Sequence, residues 1–137
     1  MDIKIRYLSK TGNTKKIALA IAEELNIEAQ TIEKPVEKAD ILFLGGALYG
    51  AKINPALKEF INTLDNIKQV VIFGTSASKN TIYEELKTYL NEKNIPVHSK
   101  TFNCPGNFLL YLFGRPNKED LKRAKAFAKE IKKELDK

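Results

Sequence analysis

The stretch Ile41–Gly45 reads ILFLG and decides the fold. No polar or charged side chain interrupts it, as expected of a strand in a parallel sheet whose two faces are both covered by helices. Val70–Gly74 reads VVIFG and repeats the pattern. Two such strands at the centre of one sheet predict an open three-layer α/β architecture.

Short apolar stretches alternate with segments of helical period on both sides of this central pair. Apolar residues at helical spacing predict four helices, over residues 17–25, 57–64, 82–90 and 121–135. Asn54 and Pro55 are the predicted cap and first residue of the second helix. The three remaining strands are predicted at Ile3–Leu8, Ala29–Ile32 and Val97–Phe102. This alternation predicts a five-stranded parallel sheet with right-handed crossovers, in one domain over residues 1–137.

The connection from the second strand to the third is too short for a full crossover helix. Only residues 33–40 join the two strands, which is enough for one turn or an extended pass. In the first strand, Lys4 and Arg6 alternate with apolar residues and therefore share one face. We expect this face to be thinly covered and partly wet near Lys4 and Arg6.

Composition and charge exclude several classes of protein. The chain has 137 residues, of which 43% are hydrophobic and 29% charged, as is typical of a folded domain. Its 23 Lys and Arg against 17 Asp and Glu give a net charge of +6. Residues 115–137 hold nine basic and five acidic residues, so the excess is concentrated in the last helix. Because the loops lack a basic cluster interleaved with aromatic residues, we expect no nucleic-acid partner.

Single cysteine and histidine residues exclude other sites. Cys104 cannot form an internal disulfide, and neither it nor His98 has neighbours at metal-ligand spacing. We expect Cys104 to be a small buried residue, and His98 to be a structural residue within the fifth strand. No catalytic residues and no metal site are predicted. With neither a secretory signal nor a membrane span in the sequence, we expect a cytoplasmic protein that does not insert into membranes.

The loop after the first strand is the strongest candidate for a binding site. Open α/β sheets bind ligands at the carboxyl ends of their strands. Directly before the first helix lie hydroxyl, amide and glycine residues that suit an anion held at the helix N-terminus: Ser9, Lys10, Thr11, Gly12, Asn13 and Thr14. The spacing of these residues matches neither the P-loop nor the glycine-rich turn that binds dinucleotides. ATP, GTP and NAD are therefore poor candidates for the ligand. The alternative is an ordinary Ser/Thr/Asn-rich cap on a surface helix.

The loops after the third and fourth strands complete the candidate site. Residues 45–51 read GGALYGA, and we expect small residues there to let the backbone approach a flat ligand on which Tyr49 stacks. Residues 74–78 read GTSAS and offer hydroxyl groups. The alternatives are a glycine-rich turn for the first and a helix cap for the second.

With these three loops in order, the sequence resembles the flavodoxin family over nearly its whole length. The segment SKTGNT at residues 9–14 is similar to that family's S/T-x-T-G-x-T phosphate loop. The resemblance implies the flavodoxin-like strand order 2-1-3-4-5 and FMN as the cofactor. It implies that the loop holds the FMN phosphate, with Lys10 contributing its backbone amide. It also implies that the flavin is lined by Ala47, Leu48, Tyr49, Gly50, Thr75, Ser76 and Ala77.

Two departures from the family pattern bear on the function. The fourth-strand loop has no aromatic residue to cover the outer face of the flavin, so Phe108 or Tyr111 is the candidate cover. The net charge is +6, whereas flavodoxins are ordinarily acidic. This excess is either a solvated helix face or a basic surface beside the flavin that meets a partner acidic at the contact.

The resemblance implies an FMN-binding electron carrier that works between redox protein partners. Two alternatives stay open. One is a small FMN-dependent reductase that admits a quinone or another planar substrate through the open outer face. The other is an accessory flavodoxin-like subunit that works by binding a partner.

Overall fold

The computed structural model describes residues 1–48, 52–76, 81–105 and 114–136. Within these ranges the strands and helices alternate along the chain. They are, in order, β1 (Ile3–Tyr7), α1 (Asn13–Leu25), β2 (Ala29–Thr31), β3 (Lys38–Leu48), α2 (Pro55–Asn62), β4 (Asn66–Ser76), α3 (Ile82–Glu92), β5 (Phe102–Pro105) and α4 (Lys118–Leu135). No helix of these ranges is both long and apolar enough to cross a membrane.

The strands form one parallel sheet in the order β2-β1-β3-β4-β5, which confirms the predicted fold. Alternate residues of β3 enter two different cores, because successive side chains of a strand point to opposite faces. Phe43 packs in the core under α1 and α4. Leu42 and Leu44 pack in the core under α2 and α3. A strand that is buried on both faces needs the uninterrupted apolar run that its sequence shows.

The local signals at α2 act as predicted. The Asn54 side chain accepts a hydrogen bond of 2.9 Å from the Ala56 backbone N–H, and Pro55 is the first helical residue. Proline fits this position because its missing N–H would have no partner in the helix. The helix is therefore fixed close to the end of β3, at the sheet edge where the candidate loops lie.

The prediction of a wet face near Arg6 is wrong, whereas Lys4 is half-exposed as expected. Arg6 is 5% exposed. Its guanidinium donates to the backbone carbonyl oxygens of Lys34 and Pro35 at 2.9 and 3.2 Å. The β2–β3 connection contains no helix, yet it folds over this end of the sheet and supplies acceptors for the charge.

The fifth strand was predicted too early in the chain. Val97 forms an isolated bridge with Val70, and His98 lies beside it, outside any strand. The ladder is then interrupted, and β4 pairs again only from Phe102, the first residue of β5. In the interruption, the Lys100 side chain turns towards α4 and donates to Glu130 at 2.7 Å. The last strand is thus short and lies at the edge, where Pro105 is tolerated.

Candidate functional site

The carboxyl ends of β3 and β4 lie side by side and extend further than predicted. Ala47 pairs with Thr75, and Leu48 pairs with Ser76, in the register of the two strands. These four residues were predicted in loops and are instead the last residues of strands. The candidate residues of the third and fourth strands therefore lie at one edge of the sheet, on a rigid support.

The segment at residues 9–14 leads from β1 into α1 without a side-chain cap. Gly12 is the N-cap residue, and its φ of 91° is in the left-handed region that favours glycine. As a glycine, this N-cap residue makes no side-chain capping hydrogen bond to the helix. Ser9 Oγ instead accepts from the Gly12 backbone N–H at 3.1 Å, which closes the turn. The alternative of an ordinary Ser/Thr/Asn cap is thus not what the structure shows.

The exposure of the remaining residues divides this segment in two. Lys10 and Thr11 are exposed, whereas Asn13 and Thr14 are buried. The Thr14 and Thr75 hydroxyl groups are 3.1 Å apart and hydrogen-bonded. This contact joins the segment after β1 to the end of β4. The sequence analysis assigned both regions to one site but did not predict a contact between them.

Asn103 in β5 is a candidate residue that the sequence analysis missed. Its amide nitrogen donates to Ser76 Oγ at 3.2 Å. Its Oδ1 atom is buried and has no hydrogen-bond partner among the described residues. A buried acceptor without a partner costs free energy and is rare in folded proteins. The sequence could have indicated Asn103, because a polar side chain at the carboxyl end of a strand is a candidate ligand contact. It was missed because the fifth strand was predicted to end at Phe102, before this residue.

Two glycines of β3 have a different role from the one expected. A Cβ on Gly45 would clash with the Phe73 ring, and a Cβ on Gly46 would lie 2.7 Å from Leu57 Cδ1. The space that each Cβ would need is thus filled by a core side chain, from one face of the sheet at Gly45 and from the other face at Gly46. These glycines allow close packing of the core and do not provide the ligand approach that was predicted for them.

Asp120 is a buried carboxylate at the start of α4, held by several donors. Arg115 donates two hydrogen bonds to it, of 2.6 and 2.8 Å, and Arg123 donates one of 2.6 Å. The Asn117 backbone N–H donates to it at 2.8 Å, which forms part of a capping box. These hydrogen bonds, that from Arg115 above all, hold the pKa of Asp120 well below its usual range. Asp120 therefore stays ionised and positions the chain that enters α4.

Cys104 lies in β5 and is buried, as expected. Burial raises the pKa of its thiol to about 12, and the charge of Asp120 adds to the effect. The thiol is therefore protonated at neutral pH and is a poor nucleophile. Cys104 packs in the core under α1 and α4.

Four of the predicted site residues lie outside the described ranges. They are Tyr49, Gly50, Ala77 and Phe108, and the alternative cover Tyr111 lies outside them as well. The described part of the site consists of the segment before α1 and the ends of β3, β4 and β5.

Comparison with known proteins identifies the family. Residues 4–112 match the flavodoxin domain. An uncharacterised protein of Methanocaldococcus jannaschii is 32% identical over an alignment that covers 88% of this chain and 91% of that protein.

Solved structures share the fold at lower identity. A flavodoxin from the domain Archaea superposes with a TM-score of 0.80 at 16% identity and covers both chains fully. Oxidised flavodoxin 2 from Bacillus cereus gives 0.74 at 19% identity, over 98% of this chain and 99% of that one. Rubredoxin oxygen:oxidoreductase from Desulfovibrio gigas gives 0.73 at 16% identity, over 98% of this chain but 36% of that one. With its matched domain and its five-stranded sheet, the chain belongs to the flavodoxin domain family.

Proposed function

We propose that the protein binds FMN at the carboxyl edge of its sheet and carries electrons between redox proteins. The observation that carries this proposal is the start of α1, which has a left-handed glycine as its N-cap and no side-chain cap. The first N–H groups of a helix have no partner within the helix, and they carry the positive end of its dipole. A phosphate group supplies acceptors and a negative charge, both of which suit this end of a helix.

The residues proposed to hold FMN are those that the family resemblance implies, together with Phe108 as the candidate cover of the outer flavin face. The phosphate would be held by Ser9, Thr11, Gly12, Asn13 and Thr14, together with the Lys10 backbone amide. The ring would be lined by Ala47, Leu48, Tyr49, Gly50, Thr75, Ser76, Ala77 and Phe108.

Two features of the described residues fit this cofactor. The first turn of α1 contains no acidic residue, so no side-chain carboxylate of that turn opposes a phosphate. Asn103 Oδ1, which has no partner among the described residues, is an acceptor at the carboxyl end of β5, and the flavin ring has an N–H to donate. Asn103 is therefore a further candidate contact.

FMN supplies the redox chemistry, because a flavin accepts and donates one or two electrons. The protein binds and orients it. The Thr14–Thr75 hydrogen bond fixes the phosphate segment against β4, and the register of β3 and β4 holds the two strand ends level. This preorganised edge is what a carrier needs in order to present one ring edge to its partners.

Titration of the apoprotein with FMN and with riboflavin tests the proposal directly. Riboflavin has the same ring but no phosphate. If α1 and its preceding segment hold the phosphate through charge-assisted hydrogen bonds, FMN binds about 100-fold more tightly, as two such bonds would give. Quenching of flavin fluorescence measures both affinities. Equal affinities, or no binding of either, would overturn the proposal.

The Gly12→Ala variant is expected to weaken FMN binding about tenfold, because alanine disfavours the left-handed φ that shapes the turn. Asn26→Ala is the matched control, since Asn26 also has a positive φ and lies at the other end of the same helix. Both variants should lose about 1 kcal/mol of stability, measured by urea unfolding. Only Gly12→Ala should lose FMN affinity, and a loss of the same size in both would argue against a phosphate site at Gly12.

The carrier and reductase functions differ in what reduces the bound flavin. A carrier is reduced by a redox protein but not by NADH or NADPH alone. Anaerobic mixing of the FMN-loaded protein with each nicotinamide, followed by flavin absorbance, separates the two. Bleaching within seconds would favour the reductase.

A further inference from the structure

A groove on the protein surface runs between α1 and α4. It has a volume of about 250 Å³ and is lined by Lys16, Leu19, Ala20, Glu23, Leu121 and Lys125. The α1 residues recur at the three- and four-residue spacing that puts side chains on one face of a helix, and so do those of α4. We call this feature the α1–α4 groove.

The two ends of the α1–α4 groove differ in charge. At the end far from the phosphate segment, Lys125 and Glu23 form an ion pair of 2.9 Å that joins the two helices. At the near end stand Lys16 and, on the same face of α4 as Leu121, Lys118 and Lys122. The near end therefore has an excess of positive charge.

These near-end lysines are exposed and largely lack acidic partners. Lys16 and Lys118 form no ion pair with any described residue. Lys122 is 3.9 Å from Glu119, and both of these side chains are 77% exposed. An ion pair this exposed is weak, so the positive charge remains available to a partner.

The charges of α1 are also opposite to those that favour a helix. Its first turns carry Lys15 and Lys16, whereas its last turns carry Glu23 and Glu24. A helix is stabilised by acidic residues at its N-terminus and basic residues at its C-terminus. This order of charges therefore does not stabilise α1, and it leaves positive charge at the near end of the groove.

The floor of the groove is apolar. Leu19 is 48% exposed, and Leu121 faces it from α4. An apolar centre within a charged rim is the usual anatomy of a protein–protein interface. Proteins that bind single-stranded nucleic acid stack its bases on aromatic side chains, and the lining of this groove contains none.

We infer that the α1–α4 groove docks an acidic redox protein, whose carboxylates pair with Lys16, Lys118 and Lys122 while an apolar side chain packs between Leu19 and Leu121. This inference rests on the proposed function and names its partner class. Both helices start at the carboxyl edge of the sheet, so a protein docked at the near end lies beside the proposed FMN site. A one-electron carrier there delivers one electron per encounter, and two such proteins with two protons reduce one FMN.

An acidic plant-type [2Fe–2S] ferredoxin is a suitable probe, because it is a one-electron carrier with a low reduction potential. Calorimetric titration of the full-length protein at low ionic strength measures ferredoxin binding. FMN binding is titrated separately, so the two proposals fail independently: no FMN binding overturns the proposed function, and the ferredoxin titration still tests the groove.

The decisive comparison uses two double variants of α4 with the same change in charge. Lys118→Glu/Lys122→Glu alters the near end of the groove. Lys132→Glu/Lys133→Glu alters exposed lysines about 15–20 Å away, in the last turn of the same helix. We expect the first to raise the Kd for ferredoxin about tenfold and the second less than twofold, with FMN affinity unchanged in both. Equal effects of the two variants would overturn the inference.

Two further measurements test the apolar floor and the class of partner. Leu19→Gln keeps the charge and should raise the Kd for ferredoxin about fivefold, as loss of a buried leucine contact predicts. An unchanged Kd would exclude Leu19 from the interface. Duplex DNA or phosphatidylserine vesicles should compete with ferredoxin less well than poly-L-glutamate does at equal charge. Better competition by either would reassign the groove to nucleic acid or to a membrane surface.

Discussion

The Gly45→Ala variant is expected to lose about 3 kcal/mol of unfolding free energy, although alanine is more stable than glycine at an unhindered strand position. The new methyl group would occupy the space of the Phe73 ring, with which a Cβ at Gly45 clashes. Phe73 is fully buried, and Gly45 is its partner in the register of β3 and β4. The two strands cannot move out of the plane of the sheet to make room, because helices pack against both of its faces. Urea unfolding followed by far-UV circular dichroism measures the loss.

A double variant tests whether the ring causes this loss. Phe73→Leu alone creates a cavity and should cost about 1–2 kcal/mol. In Gly45→Ala/Phe73→Leu the smaller side chain makes room for the methyl group, so the combined loss should be smaller than the sum of the single losses by at least about 1 kcal/mol. Additive losses would mean that another contact, or the backbone, limits this position.

The fold was predictable because the spacing of apolar residues along a helix or strand indicates which of its faces are buried. Ile41–Gly45 and Val70–Gly74 have no polar interruption, and both are central strands buried on both faces. The Asn54–Pro55 pair marked the start of α2 through local chemistry alone. In both cases the signal and its cause lie within a few residues of each other.

The errors occurred where distant residues decide the outcome. Arg6 alternates like a solvent-facing residue, yet it is buried because carbonyl groups of Lys34 and Pro35 meet it from another segment. Asn103 and Pro105 are poor strand formers, yet β5 forms because β4 offers an edge to pair with. No local pattern contains these partners.

The candidate site was predictable in its residue types but only partly in its roles. The hydroxyl groups of Thr14 and Thr75 were both singled out, whereas their mutual hydrogen bond depends on the sheet register. Gly45 and Gly46 suggested an approach for a ligand, but only the packing of Phe73 and Leu57 shows what the missing side chains make room for. A glycine in a sequence indicates space and does not say what fills it.

The Asp120→Asn variant is expected to lose about 2–3 kcal/mol of stability at neutral pH, because hydrogen bonds to a buried charged group are strong and their loss leaves donors unpaired. Asn keeps the shape of the side chain but removes the charge that binds Arg115 and Arg123. Glu119→Gln is the matched control: it removes the same charge from the neighbouring, exposed residue of the first turn. It should change the stability by less than about 0.5 kcal/mol.

The pH dependence of the difference between wild type and Asp120→Asn identifies the carboxylate as the cause. The pKa of Asp120 is lowered in the folded protein, first of all by the hydrogen bonds from Arg115. Its contribution to stability is therefore complete above the unfolded-state pKa of about 4 and is lost as the pH falls towards the lower folded-state pKa.

The stability gap between the two proteins should accordingly be constant from about pH 7 to 5 and narrow steadily below about pH 4. Asp40 and Glu130 also have lowered pKa values, but both proteins contain them, so their titration cancels in the difference. Urea unfolding at each pH measures the gap. A gap that stays constant down to about pH 2.5 would show that Asp120 acts through packing and capping, since only an ionised carboxylate that the fold favours loses its contribution on acidification.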